Sequence, residues 1–297
     1  MTGILLVDKP EGMTSAGVIR ALKPRLGRAK VGHLGTLDPF ASGLLPLCLG
    51  EATKVARWLL LEDKAYAGTI RLGTATDTLD RTGAVVRSAP VPQLDPARLA
   101  AVGTAFTGRR RQVPPMYSAL KRDGVPLYEL ARRGVEVERE AREIEIARLE
   151  LVLRGREHIE FRVDCSKGTY VRVLAAEVGE ALGTVAHLEG LRRTRVGAFR
   201  VEEAIAPAAL LALPPGAPLP LLPLRSALAD CLAFVVPSPQ TLARLRRGQQ
   251  DPLARLPPPR RSGETALVLD DTGNVAAVIE SAGARPAWRL ARLLASP

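Results

Sequence analysis

The sequence predicts an α+β protein in two units, a larger mixed domain over residues 1–225 and a smaller β-rich module over residues 230–297. Three observations carry this. The chain has 297 residues, against roughly 150 for an average domain. Apolar patterns of period 2 and period 3.6 interleave through the first 200 residues, so strands and helices are mixed there. Residues 204–224 carry no charge but hold Pro207, Pro214, Pro215, Pro218, Pro220 and Pro223, which would break a membrane-spanning helix repeatedly; the stretch reads as a linker. With 46% hydrophobic residues, disorder as the main state is excluded.

Residues 4–7 form a short apolar run that reads as the first strand, and Thr14 and Ser15 cap a helix that Pro24 must end or distort. Residues 32–43, with Gly32, Gly35, Pro39 and Gly43, read as an irregular loop. Residues 44–49 are apolar, and 51–61 have helical spacing through Val55, Leu59 and Leu60. Strand alternation returns at 66–72, with Tyr66, Gly68, Ile70 and Leu72 on one face, before a polar, turn-rich stretch at 73–83. Asp95-Pro96 supplies an N-cap and a first-turn proline for a helix reaching about Phe106. Residues 107–143 are basic, poor in apolar runs and insertion-like, with one helical patch at 127–133. Residues 144–153 and 159–163 alternate as the arms of a hairpin. Over 170–182 the spacing is that of an amphipathic helix, with Val171, Leu174, Val178 and Leu182 facing the core. Arg172, Ala175, Ala176 and Gly179 lie on its other face, where small residues let something approach Arg172 closely. In the last module 232–236 and 265–269 flank a small unit, with Asp271-Thr272-Gly273-Asn274 as a hairpin turn.

The formal net charge is +11, and of 42 cationic residues 35 are Arg and 7 are Lys. Guanidinium groups grip phosphate bidentately and stack on bases, so a polyanion partner is one reading; a codon-driven preference for Arg is the other, and composition leaves the two even. Cys48, Cys165 and Cys231 sit far apart with no CxxC pair, and His33, His158 and His187 are equally scattered. That argues against a disulfide framework or a zinc site and fits a reducing compartment. The first ten residues lack the basic region of a signal peptide and meet Asp8 at once, so the expected location is the cytoplasm.

Two weak matches are set aside. Ser166-Lys167-Gly168-Thr169 has the residues of a phosphate loop in the wrong order, and Asp63, Asp77 and Asp80 have no metal-binding spacing and read as solvated turn carboxylates. The run Gly32-His33-Leu34-Gly35-Thr36-Leu37-Asp38-Pro39-Phe40-Ala41-Ser42-Gly43-Leu44-Leu45 is different. It holds one carboxylate in a glycine-flanked loop with apolar residues on both sides, at a fixed place and partly desolvated. An isolated Asp before Pro is otherwise a turn initiator.

The run resembles the GHxGTLDPxAxGLL signature of the TruB-type family of tRNA pseudouridine-55 synthases, and further segments match in the same order. Asp8-Lys9-Pro10 with Gly12-Met13-Thr14-Ser15 resembles the family's N-terminal motif; Lys64-Ala65-Tyr66 and Leu72-Gly73-Thr74-Ala75-Thr76-Asp77-Thr78 resemble its tyrosine strand and following loop. Pro115-Met116-Tyr117-Ser118-Ala119-Leu120-Lys121, then Gly124, Leu127, Tyr128, Ala131 and Arg132, resemble its RNA-binding insertion. Cys165-Ser166-Lys167-Gly168-Thr169-Tyr170-Val171-Arg172 and Leu191-Arg192-Arg193 resemble its arginine and leucine motifs. The likeness covers about residues 3–200; Leu34 departs from it, since the family more often has Thr there.

The resemblance implies a catalytic domain with a central mixed, largely antiparallel sheet flanked by helices, an RNA-binding insertion over about 107–143, and a small C-terminal β-barrel-like module of PUA type. It implies isomerisation of uridine 55 in the tRNA T-arm to pseudouridine, with no cofactor and no metal, since no atom enters or leaves. Asp38 is then the nucleophile, acting on sugar or base or as a base toward a sugar proton, alternatives that stay open. Arg172 lies beside it, lowering its pKa and orienting it; Tyr66 stacks on the extracted uracil, and Leu191 forms an apolar wall. Substrate contacts are expected from Lys9, His33, Asp77, Tyr170 and Leu191, with His33 filling the gap left by the flipped base. Candidate phosphate contacts are Lys9, Arg109, Arg110, Arg111, Lys121, Arg132, Arg133, Arg192 and Arg193; Arg244, Arg246, Arg247 and Gly248 fit an RNA-facing edge or a plain solvated surface. The expected partner is tRNA, with no membrane contact, for a monomeric protein. The rival reading is a non-catalytic RNA-binding protein or tRNA-folding chaperone, which needs the cations but not Asp38; a metal-dependent nuclease lacks assembled ligands.

Overall fold

The computed structural model describes residues 1–118, 120–122, 124–229, 232–282 and 287–295. Ala119 and Cys231 lie outside the described residues. The first strand, β1 (Gly3–Lys9), is almost wholly buried, as its apolar run requires. Thr14 Oγ1 accepts from the Gly17 amide at 2.9 Å and starts α1 (Ser15–Ala21); Pro24 then sits in a separate one-turn α2 (Lys23–Leu26). The glycine-flanked loop is bracketed by β2 (Val31–His33) and β3 (Ser42–Leu49).

Where the spacing predicts one helix over 51–61, the chain makes a 3₁₀ turn, Gly50–Lys54, and a single turn α3 (Ala56–Leu59). The period still holds because Ala52, Val55, Trp58 and Leu59 must all reach one apolar cluster. After β4 (Lys64–Leu72), the polar stretch folds with β5 (Thr74–Thr76) against β6 (Val85–Ser88). Asp95 Oδ1 accepts from the Arg98 amide at 2.7 Å and caps α4 (Pro96–Phe106), as expected from Asp95-Pro96.

The basic segment after α4 is not all insertion. β7 (Gly108–Gln112) is a sheet strand, paired antiparallel with β10 (Arg142–Arg154), because an edge strand can carry charge on its open face and still satisfy its backbone. Between them lie β8 (Lys121–Arg122), β9 (Val125–Pro126) and α5 (Leu127–Arg132). β10 and β11 (His158–Cys165) form the expected hairpin, followed by α6 (Val171–Ala181), β12 (Ala186–Val196) and β13 (Phe199–Arg200). The small-residue face of α6 meets β12 rather than a ligand: a Cβ on Gly179 would stand 2.5 Å from Ala186 Cβ.

The main sheet runs β1-β3-β12-β4-β11-β10-β7, with β2 beside β3 and β13 beside β12. It is mixed and largely antiparallel, β3 with β12 being the parallel pair. α4 packs on β10 and α6 on β12, enclosing Ile70, Phe161, Leu149, Leu99, Phe106 and Leu174. The proline-rich stretch is a strap, not a free linker. It contains α7 (Pro207–Ala212), and Ile205 and Leu222 exchange backbone hydrogen bonds with β1, from the Asp8, Leu6 and Ile4 positions, at 2.8–3.1 Å. The β1 edge of the main sheet is thereby paired at these positions.

α8 (Leu224–Leu228) leads to β14 (Ala233–Val235), α9 (Pro239–Arg246), β15 (Thr265–Leu269), β16 (Val275–Ala282) and β17 (Ala287–Leu293). The described strands of this module form an open sheet in the order β14-β15-β16-β17, not a closed barrel. Its hairpin turn is fixed by Asp270 Oδ1, which accepts from the Thr272 amide at 3.1 Å and the Asn274 amide at 2.9 Å.

Candidate active site

The Asp38 loop is held from three directions. Ser15, at the start of α1, clasps Leu37 through both backbone groups: its Oγ accepts from the Leu37 amide at 2.9 Å and donates to the carbonyl at 3.2 Å. Lys9, fully buried, donates its ammonium to the carbonyls of Met13 at 2.6 Å, Pro10 at 2.9 Å and Pro39 at 3.2 Å. Arg193, 1% exposed, donates to Leu44 O at 2.8 Å, Gly35 O at 3.0 Å and Thr36 O at 3.5 Å. Leu37, Phe40 and Ala41 bury themselves in the core, so the carboxylate between them is presented from a rigid frame. Gly35 and Gly43 have φ of +97° and +100°, and a Cβ on Gly43 would lie 2.3 Å from Arg193 O.

From α6, Arg172 reaches this carboxylate, with Nε 3.0 Å from Asp38 Oδ2 and Nη2 3.4 Å from Oδ1. The same guanidinium donates to Tyr117 O at 2.7 Å and Thr78 O at 2.9 Å, and its Nη1 lies 3.5 Å from Asp80 Oδ2. Asp80 is 4% exposed, and its Oδ1 accepts from Thr82 Oγ1 at 2.5 Å and from Thr78 Oγ1 and the Thr82 amide at 2.9 Å. The backbone there is strained, Leu79 having φ of +62°.

Asp38, Arg172 and Asp80 line a cleft of about 710 Å³ together with Tyr66, Leu191, Tyr170 at the start of α6, and Tyr128 and Arg132 of the insertion. Two register shifts in β12, between Leu188 and Gly190 and between Arg193 and Arg195, bracket the residues paired with Gly68 and Tyr66. These bulges put Leu191 and Arg193 against the cleft. Gln112, at the end of β7, fixes Tyr170 by accepting from its amide at 2.8 Å and donating to its carbonyl at 3.2 Å. A second cleft, about 550 Å³, is lined by Ala67 and Thr69, which alternate along β4 with Tyr66 and Ile70, and its Arg154 is already paired with Glu160 at 2.9 Å.

Burial raises the pKa of Asp38 above the ordinary carboxylate value; Arg172 and Lys9 pull it down, and Asp80 pushes it further up. The expectation that Arg172 would leave Asp38 with a lowered pKa is therefore corrected: desolvation outweighs the guanidinium. Tyr66, fully inside, also has its pKa raised by burial, against the opposing pull of Arg193. Lys64, at the start of β4, is lowered by burial to about 8, and Lys9 likewise to about 8.

Several expected contacts take other roles. Lys9 has its three N–H groups committed to carbonyls, and Arg193 is buried behind the loop, so both are framework cations rather than phosphate contacts. Asp77 is exposed and holds its own turn, Oδ1 accepting from the Ala84 amide at 2.9 Å, whereas Asp80, read as solvated, is the buried one. Their order in one turn decides this. The Thr-x-Asp-x-Thr spacing around Asp80 was the available signal, since two hydroxyls flank the carboxylate. His33 is half-buried on β2 outside the cleft lining, its Nδ1 unpartnered and its pKa lowered by burial. Arg192 forms a two-point pair with Asp8 at 2.8 and 2.9 Å. Arg110 lies over the Phe106 ring at 3.9 Å; Arg109, Arg111, Lys121, Arg132 and Arg133 are exposed.

The chain is similar to known proteins in sequence and in fold. The model of the TruB family pseudouridylate synthase N-terminal domain matches residues 23–171. The tRNA pseudouridine synthase B of Aromatoleum aromaticum is 56% identical over 212 residues, 71% of this chain and 68% of the relative; that of Burkholderia lata is 47% identical over 273 residues, 92% and 84%. The fold is similar to that in the crystal structure of a Cbf5-Nop10-Gar1 complex, with a TM-score of 0.74 at 24% identity over 98% of this chain and 84% of the other. From the matched residues and the extent of these identities, the chain belongs to the TruB family of pseudouridylate synthases.

Proposed function

We propose that the protein converts uridine 55 in the T-loop of tRNA to pseudouridine, with Asp38 as the nucleophile. The observation that carries this reading is the Asp38 carboxylate, ion-paired with Arg172 at 3.0 Å and open to a cleft that fits a single nucleotide. In the reaction the N1–C1′ bond breaks, the uracil turns, C5 bonds to C1′, the C5 hydrogen leaves and N1 regains a proton. One proton is given up at C5 and one taken up at N1, so the product has the composition and mass of the substrate. A uridine stacked in a folded loop hides C1′ and C5, so it must first be flipped into the cleft, at a cost of a few kcal/mol.

In this reading Tyr66 and Leu191 sandwich the everted base, Tyr170 closes the side of the cleft, and Arg172 orients the ionised carboxylate toward the ribose. Asp80 fixes Arg172 from behind. His33 fills the vacated stack, and Arg109, Arg111, Lys121, Arg132, Arg133 and Arg192 face the phosphate backbone. Residues 1–225 are the catalytic unit and 230–297 the RNA-binding module.

The test is incubation of an unmodified T-arm minihelix with the protein in EDTA, followed by pseudouridine-specific chemistry on a product of unchanged mass. Conversion by the native protein and none by Asp38→Asn, with RNA affinity retained, is the expected result. Binding without conversion by the native protein would instead leave an RNA-folding role.

A further inference from the structure

Arg193 is a guanidinium with 1% exposure whose side-chain hydrogen bonds, among the described residues, go to neutral carbonyls, those of Gly35, Thr36 and Leu44, and Tyr66 is the group that favours its charge. A buried charge with no carboxylate beside it is costly, and framework alone could be supplied by an uncharged donor. Its position is also specific. The bulges of β12 set it opposite Tyr66 in the sheet register, and its carbonyl contacts lie on both sides of Asp38.

Arg193 and Tyr66 are paired across β12 and β4 and both line the cleft; a guanidinium can only donate, so the Tyr66 hydroxyl keeps its own hydrogen to give. Burial raises the Tyr66 pKa, so the phenol keeps that hydrogen. When the N1–C1′ bond of a uridine breaks, its electron pair stays with N1, and the freed uracil carries one negative charge until C5 bonds to C1′. In a cleft shielded from water that charge needs a fixed donor and a fixed positive centre.

Resting on the uridine reading above, we propose that Arg193 is a positioning residue that aims and polarises the Tyr66 O–H as a hydrogen-bond donor to the detached uracil anion. Tyr66 touches the base and keeps its proton throughout; Arg193 acts through it and supplies the compensating positive charge.

The experiment compares single-turnover loss of the target nucleoside in T-arm RNAs carrying uridine or 5-fluorouridine, whose fluorine makes the departing base a weaker, more stable anion. Arg193→Met is expected to slow the uridine RNA at least a hundredfold with RNA affinity within threefold. Its loss on the 5-fluorouridine RNA should be at least tenfold smaller. Tyr66→Phe should show the same pattern, and Arg193→Met added to Tyr66→Phe should cost little more. Arg193→Lys, which keeps the charge, should recover part of the rate; should Arg193→Met not fold, as thermal denaturation reports, Arg193→Lys carries the two-substrate comparison. Equal losses on the two RNAs, or fully additive losses in the double variant, would overturn the proposal. A native enzyme inert toward both RNAs overturns the uridine reading itself, an outcome distinct from an active enzyme whose variants lose equally.

Discussion

At the scale of single residues, the proposed mechanism sets catalysis and stability against each other at Asp38. Its carboxyl is held above its ordinary pKa of 3.8 by burial, with Arg172 offsetting part of that cost. Below pH 3.8 the group is protonated in folded and unfolded chains alike and contributes nothing. As pH rises from there through the higher folded pKa, the folded chain retains a proton that the unfolded chain has released, and stability falls. Asp38→Asn is therefore expected to raise the melting temperature at neutral pH while reducing turnover by about a thousandfold or more. Melting curves from pH 3.5 to 7.5 check it; a variant that melts below the native protein at pH 7 would contradict it. The same raised pKa sets the acid limb of kcat/KM above that of a free aspartate, and a limb at or below pH 3.8 would show the carboxylate to be better solvated than the structure has it. Asp80→Asn removes the charge that steadies Arg172 from behind, so kcat should fall about a hundredfold with RNA affinity unchanged.

At the scale of elements, the site depends on two irregularities that give backbone room. Gly43, the second residue of β3, has φ +100°, with Arg193 O against the place of a Cβ. Gly43→Ala combines a left-handed strain with a backbone clash and should destabilise by about 3 kcal/mol, read from chemical denaturation. A cost under about 0.5 kcal/mol would mean that the loop relaxes freely and that the frame around Asp38 is soft. In β12 the paired bulges bring Leu191 and Arg193 to the cleft, while Gly68 and Gly190 allow β4 and β12 to approach so closely that a Cβ on Gly68 would lie 2.2 Å from Gly190 O. The spacing at 66–72 gave the strand and its inward face directly, because period-2 patterning is local. The bulges were not legible, because they answer to the register of a partner strand more than 110 residues away.

At the scale of the whole molecule, the two sheets share one apolar cluster. Trp58, Val196, Phe199 and Leu224 from the first unit and Leu228 from the connecting α8 meet Leu267, Leu269, Val275 and Val278 from the second. Lys54 donates to Leu293 O at 3.3 Å, and Arg57 pairs with Glu280. A module joined this way unfolds with its neighbour. Leu267→Ala, at a fully buried position, should cost about 3 kcal/mol and lower both units' melting together; two separated transitions would show the units to be independent. On the proposed reading the exposed cations around the cleft contact phosphates, so the logarithm of Kd should rise with the logarithm of salt by about 0.7–0.9 for each phosphate neutralised. Arg132→Glu, in the cleft lining, should reduce that slope and weaken binding; salt-insensitive affinity would remove the electrostatic reading.

The sequence by itself determined the strands at 4–7, 66–72, 144–153 and 159–163, the helix caps at Thr14 and Asp95, and Asp38 as the residue to watch, because caps, turns and alternation are set within a few residues; the central strand β12 and the edge strand β7 were not legible in it. It also supplied the Asp38–Arg172 pairing, but only through resemblance, since 134 positions separate the two. Tertiary structure alone decided which charges are buried. Lys9 and Arg193 read as surface cations and Asp80 as a turn carboxylate, yet packing of β1, β12 and α6 around one loop excludes water from all three. Burial is a property of the assembled neighbours, not of the residue, and that assembly leaves Asp38 desolvated and paired with Arg172 at the cleft.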